Sequence, residues 1–260
     1  MINIEKAKEE FEKYLEKYNN KSDLGFELKL VHTYHVVENA VEIAKNLNLS
    51  EEDTALAELI ALLHDIGRFE EINVFKRFDS VGFDHAEYGI KLLFENNLIR
   101  DFIEDNSYDE IIKIAIRNHN KLAIQNGLDK KCLLHSKIIR DADKLDNFRV
   151  KKEEKIEAIF PGKVKNKKEM ENSTLTEKVY KTVKNEKCVN IIDRITVLDY
   201  WVCVLAFIFD LNFKETHQIV KENDYINILV DKFKYKEIDT INKMEDIKKI
   251  LNDYIDKRLT

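Results

Sequence analysis

The chain has 260 residues, of which 44% are hydrophobic, so it can bury a sizeable core and is not expected to be disordered. Only 6 Gly and 1 Pro are present, too few for the tight turns of a β-sandwich or barrel, and an all-α fold is predicted. The net charge of −6 comes from interleaved acidic and basic residues, which argues against binding to a nucleic-acid polymer.

Cysteine content and apolar runs indicate the compartment. The cysteines at 132, 188 and 203 are odd in number and lack C-x-x-C spacing, so neither a disulfide framework nor a cysteine zinc site is expected. Residues 1–18 contain no signal-peptide core. The longest apolar run, 200–209, is too short for a membrane span, which needs about 20 residues, and predicts a buried helix around Trp201. We expect a cytoplasmic protein without a membrane partner.

The first helices follow from apolar residues at helical spacing. An amphipathic helix is predicted over residues 3–18, a break over 19–25, and a second helix over about 28–47 with His32 on its inner side. Ser50-x-x-Asp53 resembles a capping box, which predicts the start of a third helix.

The third helix is predicted to end at His64-Asp65, where Gly67 would supply a helix stop. A charge at the end of a buried helix costs roughly several kcal/mol unless it is paired or bound to a metal ion. Taken alone, the dipeptide is explained by a buried His–Asp hydrogen bond. Histidine and aspartate are also ligands of divalent transition metals.

The rest of the chain is predicted to be mostly helical. Residues 68–83 have no sustained period and predict a long irregular loop, whereas helices are expected from 84 to about 97 and from 109 to 119. Residues 160–162 predict an exposed turn, which is the best candidate for a boundary between domains within the chain. The expected domains are a helical core with a metal centre over 1–155 and a helical C-terminal extension packed on it over 156–260; one continuous domain is the alternative.

Histidine or aspartate recurs on the apolar side or at the end of successive predicted helices. A single histidine in such a place is more often a satisfied core residue than a metal ligand. Five segments that share this placement favour a common site. They are His32, His64-Asp65, His85, His119 and Asp143.

These segments resemble a known family. His32, His64-Asp65 and Asp143 are similar to the H…HD…D signature of the HD superfamily of metal-dependent phosphohydrolases. Residues 62–68 and 140–146 resemble its core motifs. The resemblance covers about residues 28–150 and, more weakly, the helical tail, as in bacterial members with a C-terminal extension. It implies an all-α HD-domain helical bundle with additional C-terminal helices.

The resemblance also implies a ligand set. The first metal ion would be bound by His32, His64, Asp65 and Asp143, with residues that flank the superfamily motifs favouring His32 over His35 and Asp143 over Asp141 and Asp146. His85 and His119 resemble the extra ligands of two-metal members, in which Asp65 bridges the ions. HD-GYP phosphodiesterases usually carry paired histidines at position 119. Asn118 and the lack of a GYP motif argue against cyclic di-GMP hydrolysis.

The implied reaction is hydrolysis by a metal-activated water, for which Asp65, Arg68 and Lys121 are the expected catalytic residues and Lys144 is a weaker candidate. Alternatively, Arg68 complements a helix dipole and the lysines are simply exposed. The expected substrate is a nucleotide or another small phosphate ester or anhydride. A di-iron HD-type oxygenase and a metal-binding regulatory module without turnover are the alternatives. One or two divalent ions are expected, with Mn, Fe, Mg, Zn, Co and Ni all open, and a homo-oligomer is possible.

Overall fold

The computed structural model describes residues 2–18, 24–76, 82–160 and 162–260, which form helices and connecting turns without a β-strand. The all-α prediction is therefore confirmed. None of the helices among these residues has the length and apolarity needed to cross a membrane. The chain divides into two compact units, a first unit Met1–Asp146 and a second unit Asn147–Thr260. The predicted division into 1–155 and 156–260, and the packing between those parts, stay predictions.

The first unit is a bundle in which α2 packs on α3, α4 on α5, and α5 on α7, with α1 against α3 and α6. A π-helical turn, Lys91–Glu95, continues α5, and a 3₁₀ turn, Asn106–Tyr108, precedes α7. The last turns of α8 belong to the second unit. The helices are α1 (Ile4–Glu16), α2 (Leu24–Asn46), α3 (Glu51–Leu63), α4 (Ile66–Phe75), α5 (His85–Ile90), α6 (Ile99–Phe102), α7 (Asp109–His119) and α8 (Lys130–Glu153).

The central helix, α3, is buried along its second half. Its predicted start is confirmed, because the side chain of Ser50 accepts a hydrogen bond from the backbone N–H of Asp53. Residues 59–63 are all buried, as expected of a helix that is apolar on every side. The second helix starts at Leu24 rather than at 28, and residues 19–23 of the predicted break lie outside the described residues.

Two predictions for the segment after His64-Asp65 are wrong. Gly67 does not stop a helix, because it lies in the first turn of α4, and residues 68–75 are helical rather than irregular. The helix is stabilised by Phe69, whose ring centroid lies 5.0 Å from that of Phe26 on α2. This stabilisation comes from other helices and leaves no long apolar period in the local sequence. Residues 77–81 of the predicted loop lie outside the described residues.

Gly67 is needed where α4 crosses α5. A Cβ atom at Gly67 would lie 2.2 Å from the carbonyl oxygen of His85 and 2.8 Å from the backbone nitrogen of Gly89. No side chain fits at such distances, so only glycine permits the two backbones to approach. The crossing brings His85 close to the end of α3.

The second unit is also helical, and α15 packs against α11, α13 and α14. The predicted buried helix around Trp201 is confirmed: Trp201 is 1% exposed, and its indole N–H donates to the carbonyl oxygen of Leu229 at 3.1 Å. In the predicted turn at 160–162, Pro161 lies outside the described residues. The helices are α9 (Ile156–Ile159), α10 (Lys167–Asn172), α11 (Glu177–Lys184), α12 (Val197–Leu205), α13 (Lys214–Glu222), α14 (Tyr225–Val230) and α15 (Ile238–Leu259), with 3₁₀ turns at Ile191–Asp193 and Ala206–Asp210.

Candidate metal centre

His64 and Asp65 form the two-residue turn between α3 and α4, and both are buried. Nδ1 of His64 donates to the carbonyl oxygen of Ala61 at 2.6 Å, so in the neutral ring Nε2 carries the lone pair. This Nε2 is buried and makes no hydrogen bond within the described residues. Burial lowers the pKa of His64 to about 4, which keeps the ring neutral near pH 7.

His119 ends α7 with the same arrangement as His64. Its Nδ1 donates to the carbonyl oxygen of Ile116 at 2.6 Å, so the lone pair is again on Nε2. That Nε2 lies 3.1 Å from Nε2 of His85 and 3.5 Å from Oδ1 of Asp65. His85, the first residue of α5, places its Nε2 3.3 Å from the same carboxylate oxygen. Burial and the charge of Arg68 hold the pKa of His85 well below its usual value.

His32 reaches the cluster from α2. Its Nδ1 contacts Oδ2 of Asp146 at 2.5 Å, and its Nε2 lies 3.1 Å from Oδ1 of Asp143. Burial and the charge of Lys29 act to lower the pKa of His32, but the two carboxylates outweigh them and raise it. A cation at Nε2 would replace the proton there, while Asp146 keeps the proton on Nδ1 and fixes the ring.

Asp65 lies at the centre of the cluster. Its Oδ2 is 3.5 Å from Nε2 of His64 and 3.8 Å from Nε2 of His32. Its Oδ1 faces His85 and His119 instead, at the distances given above. Burial acts to raise the pKa of Asp65, yet Lys29 and the nearby imidazoles hold it well below the usual value, so the group is a carboxylate. Each oxygen therefore faces a different pair of histidines.

Whether a metal ion fits this site depends on whether its buried acceptor atoms lack other partners and face one another. Nε2 of His119 and Oδ1 of Asp65 are both acceptors, and acceptors that face each other in a buried site repel one another. A divalent cation between them satisfies both. Ligand atoms lie within 4.8 Å of one another in two sets, His32–His64–Asp143 and His64–Asp65–His119. Imidazole and carboxylate are donors that divalent transition metals accept. The residues fit a metal centre.

The expected cationic residues lie in different surroundings. Arg68, in the first turn of α4, donates from Nη1 to the buried carboxylate of Glu71 at 2.6 Å, and its Nε is 3.8 Å from Oδ1 of Asp65. Lys121 pairs with Asp84, the residue before His85. Lys144 is 5% exposed, which excludes simple surface exposure as its role.

Sequence reasoning missed two residues of the site. Lys29 lies one helical turn before His32, and its Nζ is 2.5 Å from Oδ2 of Asp65. Asp146 was set aside in favour of Asp143 as a ligand, and it contacts the opposite nitrogen of His32. The sequence offers one indication for both residues. Each lies three positions from a candidate ligand on the same helix, and this spacing places the two side chains on one face.

Other polar residues considered from the sequence lie elsewhere. His35 contacts Glu38 at 3.1 Å on the partly exposed side of α2. Asp141 is fully buried in α8, and His135 contacts Asp53, at the start of α3, at 3.3 Å. The structure thus brings the six candidate ligands together and separates His35 from them.

The HD domain family model matches residues 30–147, a span that contains the six candidate ligands. No curated protein and no solved structure matches the chain.

Proposed function

Because the chain belongs to the HD superfamily through its domain at residues 30–147, we propose that it is a metal-dependent phosphohydrolase. The proposed substrate is a nucleotide or another small phosphate ester or anhydride rather than a nucleic-acid polymer. The observation that carries the proposal is the convergence of buried imidazole lone pairs on the carboxylate of Asp65. Most members of this superfamily are metal-dependent hydrolases, which supports the reaction class.

Two ion positions are proposed, with Asp65 shared between them. His32, His64 and Asp143 would hold one ion, and His85 and His119 would hold the other. A bound divalent ion supplies Lewis acidity, which lowers the pKa of water and polarises a phosphoryl oxygen. The ligand types suit Mn, Fe, Mg, Zn, Co or Ni.

The protein's own residues determine the orientation of this centre. The carbonyl groups of Ala61 and Ile116 hold protons on Nδ1 of His64 and His119, and Asp146 does so for His32. Each ring is therefore oriented before an ion binds, and in the neutral rings of His64 and His119 the proton on Nδ1 leaves the lone pair on Nε2. Such outer hydrogen bonds raise the affinity of metal sites.

Cationic side chains beside Asp65 favour an anionic substrate. Lys29 and Arg68 both approach the carboxylate, and Glu71 fixes one edge of the guanidinium group. In the proposed reaction these cations stabilise the negative charge that develops on the phosphoryl oxygens. Lys121 is the third proposed cation, held beside His85 by Asp84.

An anaerobic assay of Mn-loaded protein against nucleotides and generic phosphodiesters tests the proposal. We expect phosphate-ester hydrolysis by the wild type, no turnover and no bound metal for Asp65→Ala, and normal turnover for His35→Gln, which alters a histidine outside the cluster. Oxygen consumption by Fe-loaded protein without hydrolysis would identify an oxygenase instead. Metal uptake with neither activity would indicate a regulatory module. Either result overturns the phosphohydrolase proposal.

A further inference from the structure

Arg140 is a buried cation that lies against the end of α7. It belongs to α8 and is 2% exposed. Its Nη1 donates to the carbonyl oxygen of Asn118 and, at 2.7 Å, to that of Lys121, while Nη2 lies 3.4 Å from the carbonyl oxygen of Leu122. A buried guanidinium group is stable only when its donors are satisfied. Here carbonyl groups accept from Nη1 and Nη2, at the negative end of a helix dipole.

These carbonyl groups belong to the turn that carries His119. A helix end leaves up to four carbonyl groups without partners in the helix, and the backbone there is held by whatever donors reach them. The carbonyl of Ile116 is engaged by Nδ1 of His119. Arg140 donates to the carbonyl oxygens of Asn118 and Lys121, and its Nη1 is 3.5 Å from that of His119 itself. The position of the His119 ring therefore depends on Arg140.

A second set of contacts ties the same turn to α5. Asp84 caps α5 through the backbone N–H groups of Ala86 and Glu87, and it also accepts from Asn120 at 3.0 Å and from Lys121. His85 is the next residue after Asp84. The two histidines proposed for one ion are thus joined by a polar turn, and Arg140 holds that turn to α8.

Helix α8 carries residues that contact both proposed ion positions, the one formed by His32, His64 and Asp143 and the one formed by His85 and His119. Asp143, three residues after Arg140, lies 3.1 Å from His32 and belongs to the first of these positions. A spacing of three residues places Arg140 and Asp143 on the same side of the helix. One helical turn therefore supplies a candidate ligand for one ion and the backbone support for a ligand of the other.

We propose that Arg140 is a positioning residue that sets the affinity of the ion held by His85 and His119. The proposal rests on the two-ion centre proposed above. Arg140 acts through the backbone of residues 118–122 and directs Nε2 of His119 toward Asp65. The ion held by His32, His64 and Asp143 depends much less on this contact.

Titration of metal-free protein with Mn²⁺ tests the proposal in Arg140→Lys and Arg140→Gln. Loss of a hydrogen bond that supports a ligand typically weakens metal binding 10- to 100-fold, and we expect a fall of about that size for one ion. The other ion is expected to change less than about threefold. Arg100→Gln is the matched control, because Arg100 pairs with Asp109, at the opposite end of α7 from His119. It should leave both affinities unchanged.

The outcomes separate this proposal from the proposed function. If Arg140→Gln does not fold, Arg140→Lys decides, since it keeps the charge and loses the two-pronged contact. Wild-type affinity for both ions in a folded Arg140→Lys protein, an equal fall for both ions, or uptake of one ion by the wild type would overturn the positioning role. Selective loss of one ion in a protein that hydrolyses no phosphate ester would support the positioning role and refute the phosphohydrolase.

Discussion

At the scale of single residues, the second nitrogen of each ring decides what the first can bind. In His64 and His119, Nδ1 donates a hydrogen bond to the backbone carbonyl oxygen three residues earlier in the chain. In His32, Nδ1 is hydrogen-bonded to the carboxylate of Asp146 on α8 instead. A carboxylate increases the electron density of the ring more than a carbonyl does. The ligand strength of His32 therefore depends on a residue outside its own helix.

The Asp146–His32 contact can be tested against a similar pair on the same helix. Asp146→Asn keeps an acceptor for Nδ1 but removes the negative charge, and Mn²⁺ affinity is expected to fall roughly 10-fold, with a larger fall for Asp146→Ala. Isothermal titration measures the affinity. Glu38→Gln alters the carboxylate that contacts His35 at 3.1 Å and should have no effect. Equal affinities in Asp146→Ala and the wild type would show that Asp146 does not support the ligand.

At the scale of helices, the crossing of α4 and α5 places the His85 side of the centre. Gly67 was expected to end a helix, which is the usual reason for a glycine two residues after a helical run. Glycine is needed here because the backbone of α5 lies too close for a Cβ atom, at His85, 18 residues further along the chain. No local pattern encodes such a contact, because it depends on which helix arrives from elsewhere.

Gly67→Ala should separate the two helices. The added Cβ would meet backbone atoms at 2.2 and 2.8 Å, so α5 must shift, and we expect lower thermal stability together with loss of one bound ion in metal analysis. Gly127→Ala is the control. Its φ of +81° makes alanine unfavourable by roughly 1 kcal/mol, but among the described residues no atom beyond its two chain neighbours lies within 4 Å of the added Cβ. A Gly67→Ala protein with full metal content would show that the close approach of α4 and α5 is not needed to place His85 in the centre.

At the scale of the whole molecule, the candidate ligands come from distant parts of the first unit. His32 lies on α2, His64 and Asp65 follow α3, His85 begins α5, His119 ends α7, and Asp143 lies on α8. A cation at their centre would link five helices. Binding to the folded state alone stabilises that state.

Removal of metal is therefore expected to lower the melting temperature. At an ion concentration 100 times the dissociation constant, binding adds about 2.7 kcal/mol to the free energy of unfolding. For a domain of this size that corresponds to roughly 5–10 °C, measured by circular dichroism with and without chelator. Asp65→Ala should show no difference between the two conditions. A wild-type melting temperature that ignores chelator would argue against an ion that links the helices.

The prediction from sequence was most successful where the signal was repeated. The scarcity of Gly and Pro predicted the all-α fold, and the apolar runs around Leu59 and Trp201 predicted buried helices, because helix period and composition are local properties. The HD motif predicted the family. The helix over 68–75 was missed because its stability comes from Phe69 packing on Phe26, a contact between separate helices.

Composition, helical periodicity and the HD motif were sufficient to predict the fold class, the HD domain and the residue types available as ligands, because none of these depends on distances between helices. The three-dimensional arrangement was needed to find that Asp65 faces two pairs of histidines, that Lys29 and Asp146 contact the candidate ligands, and that Gly67 permits the close approach of α5. The physical reason is that lone-pair direction, buried charge and backbone approach depend on distances between helices. His64-Asp65 was compatible with a simple hydrogen bond until those distances placed four histidines around one carboxylate.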